Sequence, residues 1–504
     1  MNAGRTMHEQ SDYRNTTLLA AIALATLLVH VLLGNRYGFH RDELATLEDA
    51  RHLAWGYVAY PPVTPFFARI SLELFGTSLA GFRFFAALAD AAAVFLTGLM
   101  ARELGGRIGA QLVAACAAIP FCLAAGALMQ YVSFDYLAWV ACAYFVVRLC
   151  QSDDPRWWIA IGVCIGFGML TKYSMLVCVA GIAVGVFATK LRRHLLSKWF
   201  WLGVALSLLI VLPNLLWQIR HHFISVDFLR HIHARDVRIG RTKDFLPDQL
   251  KLTVFTLPIG LGGLWFYFFS SKGRRFRAVA WLYIIPLLLF FFAQGRGYYL
   301  APAYPVLYAG GAVWIENLLG KTRRAPAFIG WTLAWSCVVV TIAIISAFSL
   351  PLAPIDSFLW KQAVKNNDDF AEEIGWPELV ETVARIRDSL PEPDRRRLGI
   401  LAANYGEAGA INLYGPRYGL PRAISGTNSL WARGYGDPPP ETVIVLGESR
   451  DFVEHYFESY EVAARSWNHY GVANEETTRY PEIFLCRHFR PSWSEFWKTF
   501  QHFG

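Results

Sequence analysis

The chain has 504 residues, 55% of them hydrophobic and only 17% charged, with a formal net charge of +8. Its mean hydropathy of +0.32 is too apolar for an ordinary soluble protein of this size and fits a chain that crosses a membrane many times. The positive charge is no nucleic-acid footprint, because the basic residues lie in short clusters between apolar segments, without zinc-finger spacing, an RNA-binding motif or a long basic stripe.

The polar stretch Met1–Thr17 leads into an apolar run with no small-residue cleavage pattern, so it reads as the approach to a first span and not as a cleaved signal. Apolar segments follow near 16–34, 82–101, 108–126, 132–150, 157–171, 174–190, 199–219, 251–270, 278–294, 299–319 and 327–349. By the rule of roughly 20 residues per crossing they predict about eleven transmembrane helices. Seven of the eight cysteines fall in or at the ends of these segments, where they read as small packing residues. Cys486 is the exception.

The connecting loops form two sets. One carries Arg102/Arg107, Arg148/Arg156, Lys190 with Arg192 and Arg193, Lys272 with Arg274, Arg275 and Arg277, and Lys321 with Arg323 and Arg324. Rich in Lys and Arg and poor in acids, this set is expected on the cytoplasmic side. The other set holds 35–81, 127–131, 172–173, 220–250 and 294–297. With an odd number of spans, the N-terminus is then cytoplasmic, and everything after about residue 350 lies outside with the 35–81 loop.

That loop is patterned. Asp42–Trp55 and Thr64–Phe75 show apolar residues at helical spacing and read as two amphipathic helices on the membrane surface. Tyr60-Pro61-Pro62 separates them with an extended break. From about 350 the composition turns polar. A helix over Pro377–Leu390, strands over Leu398–Ala403, Thr442–Leu446, Glu461–Trp467 and Glu482–Arg487, and helices near 406–414, 449–458 and 492–501 predict a soluble α/β domain over 350–504. Residues 1–349 form the transmembrane domain.

Chemistry concentrates on the outer set of loops. Asp42 and Glu43 stand just beyond the first span, where ionised acids are costly unless they have a task. Such carboxylates can deprotonate a hydroxyl or hold a metal; they can equally sit in a solvated turn. Asp135 starts the fourth span, Lys172 lies between two spans, and Arg296, Tyr298 and Tyr299 start the tenth. Each has an ordinary alternative, as a helix cap, a snorkelling lysine or an interfacial anchor. Their convergence on one face suits a substrate whose leaving group is a lipid phosphate.

Asp42-Glu43 followed by a surface helix, Trp55-Gly56-Tyr57 and Pro61-Pro62 resembles the first outer loop of type C glycosyltransferases. The bacterial branch similar to protein O-mannosyltransferases and to the lipid A aminoarabinose transferase is nearest. Thr171-Lys172-Tyr173, the run Gly295 to Pro305 and Asn404 to Ala410 resemble the same branch. The resemblance implies an α-helical polytopic fold of that type with a C-terminal α/β domain. It implies Asp42 as catalytic acid, with Glu43 and Asp135 as further acids. Lys172, Arg296, Tyr298 and Tyr299 then bind the donor phosphate, and His40, Tyr60, Pro61 and Pro62 belong to the acceptor loop. Where relatives often place a charged or polar pair before Pro-Pro, this chain has Ala59-Tyr60, so no metal site is carried over. No cofactor is predicted, and a divalent metal is left open. His40 reads as either a ligand or a polar loop residue.

The resulting expectation is an inverting glycosyltransferase of the cytoplasmic (inner) membrane. It would move a sugar from a polyprenyl-phosphate donor to a hydroxyl of an envelope lipid, glycan or protein, with membrane lipids as neighbours and no nucleic acid. The alternatives are a transporter or lipid flippase, and a non-catalytic sensor or binding protein.

Overall fold

The computed structural model describes residues 2–504, with side chains described from residue 13 onward; Met1 and the side chains of the expected polar N-terminal stretch before Tyr13 lie outside the described residues. In chain order the membrane part consists of α1 (Asn2–Leu33), α2 (Arg41–Arg51), α3 (Val63–Phe75), α4 (Leu79–Glu103), α5 (Ile108–Ala125), α6 (Tyr131–Ser152), α7 (Trp157–Met169), α8 (Met175–Phe187), α9 (Lys198–Arg220), α10 (Ile224–Arg238), α11 (Phe245–Thr253), α12 (Leu257–Phe269), α13 (Arg277–Phe292), α14 (Tyr304–Leu319) and α15 (Arg324–Ser349). Every apolar segment expected to span is helical. Among the described residues, seven helices are long and apolar enough to cross a membrane, or nine if each bent pair counts as one span. The difference from eleven has a local cause. Of the expected segments, α7 and α14 are short, at 13 and 16 residues, and α8 and α12 are bent by 101° and 103° from the short helices beside them.

Small residues let the helices approach. Helices α4 and α5 pack together, and Ala93 and Ala101 of α4 are buried in one core cluster with Ala110, Ala114 and Ala117 of α5. Gly162 of α7 and Gly203 of α9 touch backbone to backbone; a Cβ on Gly162 would lie 2.2 Å from the Gly203 carbonyl oxygen. The two sets of loops separate to opposite ends. At one end Arg148 bonds Glu103 at 3.2 Å, the Arg107 amide bonds Glu316 at 2.6 Å, and Arg275 reaches the Cys150 carbonyl at 2.8 Å. The acids, tyrosines and C-terminal unit gather at the other end.

That unit contains α16 (Phe358–Val364), α17 (Trp376–Ser389), α18 (Glu392–Arg396), β1 (Leu398–Ala402), α19 (Tyr405–Tyr414), β2 (Ala423–Ile424), β3 (Thr442–Leu446), α20 (Arg450–Tyr456), β4 (Phe457–Arg465), α21 (Glu475–Thr478), β5 (Glu482–Phe489) and α22 (Trp493–Thr499). The sheet order is β2-β1-β3-β5-β4. β1 runs parallel to β2 and β3, while β5 runs antiparallel to β3 and β4. Strands β1 and β3 are buried along their whole length, as central strands covered on both faces must be.

One face of this sheet shares its core with the membrane part. Phe39, Leu44, Leu47, Phe82 and Phe134 pack in one cluster with Trp376, Val380, Ile400, Ile411 and Ile444. Helix α2 is therefore packed between the membrane part and the C-terminal unit. Its Glu43, Leu44, Leu47, Glu48 and Ala50 are buried, and α19 packs on it. Helix α3 keeps Phe66, Leu74 and Phe75 exposed, which suits a membrane surface. The α2–α19 contact is close at Gly409, where a Cβ would come within 2.9 Å of the Leu44 backbone. Gly409→Ala should therefore lower the stability of the purified protein by about 1–3 kcal/mol, read as a drop in Tm. An unchanged Tm would show that the two parts can separate slightly without loss.

Candidate active site

Helix α2 begins with a reciprocal cap. The Asp42 amide donates to His40 Nδ1 at 3.1 Å, and the His40 amide donates to Glu43 Oε2 at 3.0 Å. His40 is thus the N-cap of the helix carrying both acids. Its Nε2 lies 3.6 Å from Asp369. Burial disfavours a charged ring, but Asp369 and Asp42 outweigh it and raise the pKa to about 9. A ring protonated on both nitrogens no longer accepts from the Asp42 amide, so capping and charging compete at Nδ1.

The adjacent acids point different ways. Glu43 is fully buried. It accepts two bonds from Arg83, at 2.8 and 2.6 Å, and one from the Met129 amide at 2.8 Å. Arg83 also reaches Glu373 at 3.3 Å and the Gly38 carbonyl at 3.0 Å. With its oxygens occupied and facing inward, Glu43 lines neither of the two cavities and ties the start of the helix to Arg83. Asp42 lies where two cavities of about 1180 and 440 Å³ meet, and it lines both. Tyr405 donates to its Oδ1 at 2.8 Å and Gln130 to its Oδ2 at 3.1 Å. Each oxygen keeps a lone pair for a further donor.

The other expected residues sort by distance from the cavities. Asp135 is buried and accepts from Trp139 at 3.1 Å and Ser174 at 3.2 Å. It does not line the two cavities; it stands behind Lys172, which acts on it electrostatically. Lys172 lines the smaller cavity. Its Nζ lies over three rings, 4.3 Å from Tyr299, 4.9 Å from Tyr131 and 5.2 Å from Tyr298. Aromatic faces hold an ammonium without neutralising it, so its charge stays available to an anion. Arg296 lines both cavities but is engaged, donating from Nε to Asp236 of α10 at 2.6 Å. Tyr298 faces the larger cavity and Tyr299 the smaller. Tyr60 and Pro61 line the smaller one, while Pro62 caps α3. Among the described residues, no group of three or more His, Cys, Asp or Glu side chains is arranged to hold a metal ion.

Two groups escaped the sequence reading. Tyr405 comes from the C-terminal unit, whose Thr427, Asn428, Ser429 and Leu430 also wall the smaller cavity. Asp49 lies two turns beyond Asp42 on the same face of α2, a period-seven signal that was legible. It accepts from Tyr60 at 2.9 Å and Arg433 at 3.2 Å. Burial pushes its pKa up to about 7, against the pull of Arg433.

A helical bundle capped by an α/β unit, with an acid, a caged lysine and an arginine at the junction, defines a polytopic membrane protein with the type C glycosyltransferase fold. The comparisons agree. A family profile described as dolichyl-phosphate-mannose-protein mannosyltransferase matches residues 59–217. The undecaprenyl phosphate-alpha-4-amino-4-deoxy-L-arabinose arabinosyl transferase 1 of Pseudomonas fluorescens (strain Pf0-1) is 26% identical over 328 residues, covering 58% of this chain and 56% of that protein. The lipid A galacturonosyltransferase RgtD of Rhizobium johnstonii is 25% identical over 302 residues, covering 56% of this chain and 61% of that one. These matches thus span little more than half the length of the relatives. The crystal structure of ArnT from Cupriavidus metallidurans bound to undecaprenyl phosphate superposes with a TM-score of 0.58 at 16% identity, covering 93% of this chain and 97% of that one.

The different settings of the two acids give a stability test. Glu43→Gln leaves the buried Arg83 charge poorly paired and should cost about 3–5 kcal/mol. Asp42→Asn keeps its shape at a cavity wall and should barely move the Tm. Equal losses in a melting experiment would refute this division.

Proposed function

We propose that the protein is an inverting glycosyltransferase that takes a sugar from a polyprenyl-phosphate donor and places it on a hydroxyl of an envelope lipid, glycan or protein. The observation that carries the reading is the position of Asp42 at the meeting of two cavities, one of which holds the caged ammonium of Lys172. The smaller cavity receives the donor's sugar and phosphate. The larger admits the acceptor. Asp42 takes the proton from the acceptor hydroxyl, and the freed oxygen attacks the anomeric carbon from the face opposite the phosphate. The carbon–oxygen bond to the phosphate breaks, and its electron pair leaves with polyprenyl phosphate.

Lys172 and Arg296 meet the charge that grows on the leaving phosphate, in a site dry enough for each cation to count. Tyr405 and Gln130 hold the Asp42 carboxylate toward the acceptor. Two names support the donor class, the undecaprenyl phosphate arabinosyl transferase among the relatives and the undecaprenyl phosphate bound to ArnT. The protein resides in the inner membrane, with α2, the cavities and the C-terminal unit outside. The separation of the basic loops to the opposite end supports that orientation.

Asp42→Asn should lower turnover by about 100- to 10,000-fold while leaving donor binding nearly unchanged. Lys172→Ala should lower turnover more than donor affinity, because the phosphate gains charge only as the bond breaks. Purified protein in lipid, a polyprenyl-phosphate sugar and single-turnover rates measure both. Parental rates in both variants would favour a transporter. For orientation, cysteines placed at Ser389 and Lys321 are to be probed with an impermeant thiol reagent on intact cells. The position at 389 should label and that at 321 should not; the reverse pattern would put the site on the cytoplasmic face.

A further inference from the structure

Among the described residues, Asp49 is the one carboxylate lining the smaller cavity to which the reaction above gives no task. It is held in place from two sides. Tyr60 donates to Oδ2 at 2.9 Å and Arg433 to Oδ1 at 3.2 Å. Each oxygen has two acceptor positions, so one lone pair on each remains open. The carboxylate lines the cavity, although it is otherwise buried. Its position relative to Asp42 is fixed by α2 itself. The two residues are two turns apart on one face, about 10.5 Å along the axis at helical rise. A hydrogen bond of about 2.8 Å at each end leaves a gap that one sugar ring fills.

We infer that Asp49 reads hydroxyl groups of the transferred sugar, and that this sugar is non-anionic. The inference rests on the glycosyl-transfer reading and adds to it the class of sugar. With the acceptor oxygen held at Asp42 and the leaving phosphate at Lys172, the far edge of the ring faces Asp49. A carboxylate with two open lone pairs accepts from two neighbouring hydroxyls at once. The same carboxylate disfavours a uronic acid, because a second acid brought to this buried wall leaves room for one charge between the two, and Arg433 is already bonded to Asp49. Asn428 and Ser429, on the same wall, offer neutral partners for the remaining ring oxygens.

The test measures donor binding to the full chain in lipid nanodiscs, so no acceptor is needed. The probes are bare undecaprenyl phosphate, undecaprenyl phosphate bearing glucose, mannose, galactose or arabinose, the 3-deoxy and 4-deoxy analogues of the best binder, and its uronic acid counterpart. The parent should bind one neutral donor more tightly than bare undecaprenyl phosphate and discriminate against a deoxy analogue and the uronic acid. Asp49→Asn should lose about 10- to 100-fold for the neutral donor, lose the discrimination, and bind bare undecaprenyl phosphate as the parent does. Asp49→Glu keeps the charge but shifts it by one methylene, and should weaken discrimination in a chain that still folds. Equal weakening of bare and sugar-bearing lipid would make Asp49 a tether for Arg433 and overturn the inference. So would a parent that favours the uronic acid, or one that binds no sugar-bearing donor better than the bare lipid. Failure of the parent to bind even bare undecaprenyl phosphate would instead strike the donor reading itself.

Discussion

The buried pair of Glu43 and Arg83 fixes the geometry on which the rest of the site depends. It joins α2 to α4 through two short bonds, and it draws in the Met129 amide from the α5–α6 turn and Glu373 from the C-terminal unit. Four separate parts of the chain are thus tied at one point. Successive residues on a helix are about 100° apart. With Glu43 held inward, Asp42 must turn to the side, where the cavities are. Asp49, two turns on, must follow it. The pair's value is positional, because ion pairs of this kind rarely add net stability over apolar packing.

The same geometry explains why the C-terminal unit is more than an appended domain. Its α19 lies on α2, and its core is continuous with Phe39, Leu44, Phe82 and Phe134 of the membrane part. Tyr405 reaches Asp42, Arg433 reaches Asp49, and Arg422 reaches Glu48 at 2.9 Å. Three acids of one short helix are therefore each met by a side chain from beyond residue 400. The cavity wall is completed by chain that is distant in sequence.

Lys172 and Arg296 differ in readiness. Lys172 is held by tyrosine faces, which orient an ammonium, and its electrostatic partner Asp135 stands behind it. Arg296 already spends its Nε on Asp236. A phosphate approaching both would meet an ammonium held by rings at Lys172 and a guanidinium already bonded to a carboxylate at Arg296. The Arg296–Asp236 pair also ties the cavity-lining helix α10 to the wall, so the arginine serves position as well as charge.

Much of the architecture was legible in the sequence because it is set locally. Apolar length made the helices, Lys and Arg asymmetry sorted the loops to two ends, and alternation after residue 390 marked four of the five strands, with Thr442–Leu446 matching residue for residue and the two-residue β2 unforeseen. The Asp-Glu step and the lysine and arginine segments could be recognised as motifs. Roles could not be read in this way, because neighbours in sequence take opposite faces of a helix and only packing decides which face is wet. Glu43 went to Arg83, Asp135 to Trp139 and Ser174, Arg296 to Asp236, and His40 to the start of its own helix. Tyr405 entered the site through a contact between segments far apart in the chain, and Asp49 through its place two turns from Asp42 on α2. The sequence alone determined a many-spanning helical chain with acids and cations toward one end and an α/β unit after them. Only the tertiary structure decided which acid faces the cavity, because burial and hydrogen-bond partners are properties of the packed chain and have no period along it.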